Sequence, residues 1–134
     1  MTSSAATAAT TDLTNGDLPY FEAVLRRQRR FRLHQLAELS AGEGRAMATA
    51  AHFEVASVLE RAARHALAEI DLALDRLRCG RYGRCVDCGQ AIGRDRLDVL
   101  PSAARCMACQ QRIAKGRPPP RRHGMSKREA RSAR

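Results

Sequence analysis

The sequence predicts a mainly α protein: a long antiparallel two-helix coiled-coil hairpin with a small C-terminal unit organised by four cysteines. Three observations predict it. Apolar residues recur at steps of three and four over two long stretches, a glycine-bearing turn separates those stretches, and two Cys-x2-Cys pairs follow the second one. At 134 residues the chain is one domain's worth, with no Trp, two Tyr and three Phe, so it lacks the aromatic bulk of a thick core. A narrow seam of small and medium side chains between two helices needs no such bulk.

Residues 1–16, rich in Ser, Thr and Ala, hold no periodic apolar face and are expected to be disordered. They contain neither the basic start nor the apolar run of a secretory signal, and no later stretch reaches the length of a membrane span, so a cytoplasmic protein with no membrane partner is expected. The hairpin is expected over 17–79. Asp17 is placed to cap a first helix from about Leu18 to Leu39, whose apolar positions are Leu18, Phe21, Val24, Leu25, Phe31, Leu33, Leu36 and Leu39, with Pro19 tolerated in its first turn. Ser40-Ala41-Gly42-Glu43-Gly44 then breaks the pattern, which puts the exposed tip near 41–46.

A second helix is expected from about Ala46 to Arg78, with Val55, Leu59, Ala62, Ala66, Ile70, Ala73 and Leu77 along one stripe. At 1.5 Å per residue it would be about 50 Å long. Gly80 and Gly83 end it and open a unit expected over 80–115, a four-Cys finger closed by a short C-terminal helix. Pro118-Pro119-Pro120 forbids an ordinary helix, so 116–134 reads as a basic disordered tail.

Cys85 and Cys88 are separated from Cys106 and Cys109 by seventeen residues, a spacing that lets each pair offer two thiolates to one ion. One structural zinc ion is the expected cofactor. Thiolates are soft, zinc has no redox chemistry, and four cysteines close its shell, which leaves no open position for catalysis. The resulting formal charge of about minus two calls for nearby donors and cations, and Arg81, Arg84, Arg94, Arg96 and Arg105 lie close in sequence. Gly89, directly after Cys88, suits a positive φ that turns backbone N–H groups toward sulfur. Metal binding of this kind contributes on the order of 10–16 kcal/mol in small peptides, so the finger is expected to unfold without it. Cys79 has no partner at ligand spacing and reads as a bystander at the helix end.

The formal net charge is +10, and residues 112–134 hold nine basic residues against Glu129 alone, which is eight of the ten. The remaining 15 basic and 13 acidic residues nearly cancel, so charge alone does not make the folded part a nucleic-acid-reading surface. Arg26, Arg27, Arg29, Arg30 and Arg32 read as a solvated helix face. His34, His52, His65 and His123 have no second ligand at metal spacing, and no nucleophile elbow, phosphate loop or paired acid is present, so no enzyme is expected.

The run Arg81-Tyr82-Gly83-Arg84-Cys85-Val86-Asp87-Cys88-Gly89-Gln90-Ala91-Ile92, continuing through Arg96-Leu97, Pro101 and Cys106-Met107-Ala108-Cys109-Gln110, resembles the DksA/TraR family of zinc-finger transcription factors. With the hairpin ahead of it, the resemblance spans roughly 18–112. It implies direct binding to bacterial RNA polymerase, with the coiled-coil tip entering the secondary channel and modulating initiation. It also implies ppGpp as a candidate co-effector, with no residue of this chain assigned to it. Better-known members carry a tip pattern Asp-x-x-Asp-x-Ala. This chain instead has Gly42, Glu43, Gly44, Arg45 and Ala46 there: Gly42 and Arg45 fall where the aspartates would be, or Ala41 and Gly44 with a one-residue slip. The local charge changes from about minus two to zero, an electrostatic difference large enough to alter the regulatory outcome. Two other readings stay open: a nucleic-acid-binding zinc ribbon that grips phosphate with its Arg-rich tail, and a structural adaptor that dimerises through its coiled coil.

Overall fold

The computed structural model describes residues 13–42 and 49–118. Two long helices dominate it, α1 over Leu18–Gly42 and α2 over Ala50–Arg78, followed by two short ones, α3 over Arg94–Val99 and α4 over Met107–Ala114. Among the described residues the only extended pairing is an isolated antiparallel bridge between Arg84 and Ala91.

α1 runs through Ser40 and Ala41 to Gly42, three residues past the expected end. α2 starts at Ala50, later than the expected Ala46, because Thr49 caps it: its hydroxyl accepts from the His52 N–H at 3.3 Å. Of the expected tip, Gly42 closes α1, while Glu43, Gly44, Arg45 and Ala46 lie outside the described residues. So do residues 1–12 and 119–134, on which most of the two disordered-segment expectations fall.

Residues 13–16 differ from the expectation. Thr14 to Asp17 form a turn in which the Asp17 N–H donates to the Thr14 carbonyl at 3.0 Å, and Leu13 packs against the core. The Asp17 side chain is not a cap on α1. It accepts from the Thr14 N–H at 2.9 Å and the Thr14 hydroxyl at 2.8 Å, and it forms an ion pair with Arg94.

The core sits at the base of the hairpin. Phe21 and Leu25 from α1, Ile70, Ala73 and Leu74 from α2, and Tyr82, Cys85, Ile92, Leu97, Ala103 and Cys109 from the finger form one buried cluster. Hairpin and finger therefore share a single core, in which burial of each large side chain contributes about 1.5–3 kcal/mol.

Further toward the tip the seam thins. Stepping back from Ile70 by three and four gives Leu67, Ala63, Glu60 and Ala56, which are half-buried or buried. The expected stripe chose Ala66, Ala62, Leu59 and Val55 instead, yet Val55 is 58% and Leu59 45% exposed. The difference is one of period: two successive steps of four drift off the average of 3.5 that keeps a seam facing its partner. On α1 the corresponding positions include Gln28, Arg32 and Gln35, all half-buried, with Arg32 donating to Gln35 at 2.9 Å. Arg29 of α1 pairs with Asp71 of α2 at 2.8 Å and marks the register of the two helices.

Candidate metal centre

The chain leaves α2 through Cys79 and Gly80 and makes a tight turn at Gly83, whose φ is +83°. The left-handed backbone is what requires glycine there; a Cβ would also lie 2.6 Å from the end of the Leu13 side chain, which would have to shift. The Ile92 N–H then donates to the Gly83 carbonyl at 2.8 Å and the Cys85 N–H to Gln90 at 2.8 Å, folding the first Cys-x2-Cys pair into a knuckle. Gly89 takes the expected positive φ, +76°, and its N–H donates to the Cys85 carbonyl at 3.0 Å.

The second pair opens α4. Cys106 is its N-cap, and the Cys106 sulfur accepts from the Cys109 N–H at 3.5 Å. The Val86 N–H donates to the Ala104 carbonyl at 2.9 Å and holds the two knuckles face to face.

This arrangement brings the sulfurs of Cys85, Cys88, Cys106 and Cys109 within 4.8 Å of one another. A tetrahedral zinc–thiolate site with bonds of about 2.3 Å requires sulfur separations of about 3.8 Å; the Cys88 and Cys106 sulfurs are 3.7 Å apart. Cys85 and Cys109 are buried and the other two half-buried. A donor set of four close thiols, two of them buried, fits one zinc ion. Cys79 lies exposed at the end of α2 and is not in the group.

The thiols are not equivalent. Burial pushes Cys85 up, but backbone N–H groups of Cys88, Cys106 and Asp87, with the Cys109 side chain, outweigh it and bring Cys85 down to about 6. Burial and the crowding of neighbouring sulfurs raise Cys109. Cys85 thus ionises more readily than Cys109, and metal uptake would displace the proton that Cys109 holds.

Of the five expected arginines, Arg105 donates to Asp87 at 2.7 Å, Arg96 to the Arg105 carbonyl at 3.1 Å and Arg84 to the Gly89 carbonyl at 3.4 Å, all around the knuckles. Arg94 turns away to Asp17 and lies 5.9 Å over the Phe21 ring. Arg81 is exposed.

The links between finger and hairpin were not legible in the sequence. The Tyr82 hydroxyl donates to the Pro101 carbonyl at 2.6 Å, its ring packs 5.7 Å from Phe21, and Arg76 of α2 donates to the Ser102 carbonyl at 3.3 Å. Spacing carries no signal for contacts between residues so far apart in sequence. The Tyr-Gly step before the first cysteine was the only local hint.

Architecture and site together define a class: a helical hairpin whose base is held by a four-cysteine finger. Residues 80–114 match the family described as prokaryotic dksA/traR C4-type zinc finger. The chain is similar over its fold to transcription factor DksA2 from Pseudomonas aeruginosa, with a TM-score of 0.62 and 28% identity, covering 76% of this chain and 86% of that one. The RNA polymerase binding protein and transcriptional regulator Dks from Chlamydia trachomatis L2 (LGV434) gives a TM-score of 0.45 and 25% identity over 78% of this chain and 94% of its own. An uncharacterized protein of Aquifex aeolicus (strain VF5) is 38% identical over 47 residues, 35% of this chain. The match spans about a third, 32%, of that curated relative's length. The chain is thus similar in fold to transcription factor DksA2, and its residues 80–114 are similar to C4-type zinc fingers.

Proposed function

We propose that the protein is a zinc-dependent transcription regulator that binds bacterial RNA polymerase directly in the cytoplasm, its hairpin entering the secondary channel to modulate initiation. The observation that supports this best is the fold likeness to transcription factor DksA2, which takes in hairpin and finger together. In this reading Cys85, Cys88, Cys106 and Cys109 hold one zinc ion. Zinc, when bound, supplies a closed tetrahedral anchor and no chemistry of its own. The shared core of Phe21, Leu74, Tyr82 and Leu97 passes that rigidity to the hairpin base.

Gly42, Glu43, Gly44, Arg45 and Ala46 are proposed as the tip that reaches the polymerase. Without paired aspartates they would act differently on a metal-bearing active centre, so binding and regulatory effect are separable. The concentration of charge in 112–134 supports a subsidiary role for the tail in non-specific nucleic-acid contact.

In vitro transcription with purified polymerase, with and without ppGpp, tests the proposal on wild type, a Gly42-to-Arg45 tip replacement and a deletion of 119–134. Wild type should bind polymerase and change initiation, and the tip replacement should bind without the same effect. A wild type that neither binds nor alters transcription refutes it. The tail deletion should lower only a salt-sensitive affinity for DNA.

A further inference from the structure

The two cysteine knuckles are joined by an ion pair. Asp87 lies between the cysteines of the first pair, Arg105 immediately precedes the second, and the Arg105 Nε donates to Asp87 Oδ2 at 2.7 Å. The Asp87 side chain is 13% exposed and that of Arg105 37%, so the pair is shielded on its acidic side. The Arg105 backbone is fixed in turn, its carbonyl accepting from Arg96 of α3 at 3.1 Å, and the neighbouring Val86 N–H bonds to the Ala104 carbonyl at 2.9 Å.

We propose that Asp87 and Arg105 form a charge clasp across the knuckles that slows the release of zinc from the finger. This rests on the reading of the four cysteines as zinc ligands. Loss of a bound ion would require one knuckle to swing away from the other, and a bond bridging the knuckles independently of the metal would hold freed thiolates in place to bind again. Arg105 also sets a positive charge beside a site of net negative charge, and Asp87 keeps that guanidinium from turning into solvent. Both residues adjoin backbone N–H groups, of Asp87 itself and of Cys106, that serve the Cys85 sulfur. Asp87 and Arg105 are positioning residues acting through the ligands, and such partners commonly alter metal affinity about 10–100-fold.

The test loads full-length protein with zinc and follows transfer to an excess of a chromogenic chelator. Metal content is first measured on the wild type: a chain that takes up no zinc overturns the ligand assignment itself. Given loading, Asp87→Asn and Arg105→Gln should each release zinc about ten-fold faster or more, while helicity and the thiolate charge-transfer bands of cobalt-loaded protein stay unchanged. Raising salt from about 0.1 M to about 1 M should speed release from wild type more than from Arg105→Gln, because the Arg105 end of the pair is open to solvent and is screened in part. The doubly reversed chain, Asp87→Arg with Arg105→Asp, should retain zinc longer than either single reversal. If a neutral variant cannot be loaded, Arg105→Lys replaces it and should keep metal and salt dependence. Neutral variants releasing at the wild-type rate, or a double reversal no slower than the slower of its two singles, would overturn the clasp.

Discussion

Cys85, Cys88, Cys106 and Cys109 are held in place by backbone geometry before any metal is considered, through Gly89 at positive φ and Cys106 as the cap of α4. Replacing one of them, for example Cys109→Ser, should lower zinc affinity and make the ion easier to strip with a chelator, as metal analysis after dialysis against chelator would read, because three thiolates leave the fourth position open to water. Gly83→Ala should lower stability in thermal melts of the zinc-loaded protein by about 1–3 kcal/mol, since it forces an L side chain into left-handed backbone and onto Leu13. Asp17 carries a pH dependence whose sign is fixed. The Thr14 N–H and hydroxyl, with the Arg94 guanidinium, hold its carboxyl below the ordinary 3.8 against the opposing effect of burial. Its stabilising contribution is complete above that ordinary value and is lost as pH falls through the lowered one. Asp17→Asn should therefore flatten the acid limb of the stability profile, as read by denaturation at a series of pH values.

The hairpin is strong at its base and weak toward its tip, and this unevenness is a property of the elements. α1 and α2 bury Phe21, Leu25, Ile70, Ala73 and Leu74 where the finger covers them, whereas the distal seam contains Gln28, Arg32 and Glu60. Glu60 pairs with Arg64 on its own helix, with its side chain 17% exposed. Substituting Glu60→Leu should stabilise the hairpin by about 1–2 kcal/mol, from apolar burial outweighing a partly exposed ion pair, and hydrogen exchange in α2 near Ala56 should slow. Both long helices and the finger could be read from the sequence, because periodicity and cysteine spacing are local signals. The distal face of α2 could not: Val55 and Leu59 look like seam residues, and only the register fixed by Ile70 and Leu74 against α1 turns them outward. The helix propensity of Ala46 to Ala48 points to a start of α2 earlier than the one the Thr49 cap sets. The position of Asp17 before α1 suggests a cap, but its side chain bonds Thr14 and pairs with Arg94, 77 residues away and beyond any local signal.

Over the whole molecule, one core serves two modules, and this makes the finger the foundation of the rod. Phe21 is touched by Tyr82 and Arg94, and Tyr82 is tied to Pro101, so hairpin and finger are oriented by the same few side chains. Phe21→Ala should cost about 3–5 kcal/mol and loosen both modules together in a single thermal transition. Net positive charge is distributed differently, lying mostly in residues 112–134, so binding through the tail and binding through the hairpin should respond differently to salt.

Hydrogen exchange on the purified chain before and after zinc chelation, with metal content measured alongside, tests most directly whether a metal-held finger fixes the hairpin base. One zinc per chain is expected, with slow exchange at the Cys85 and Ile92 amides and at the base of α1. Chelation should release the protection of all of these. A metal-free chain with the same protection from Gly80 to Gln110 would contradict the account.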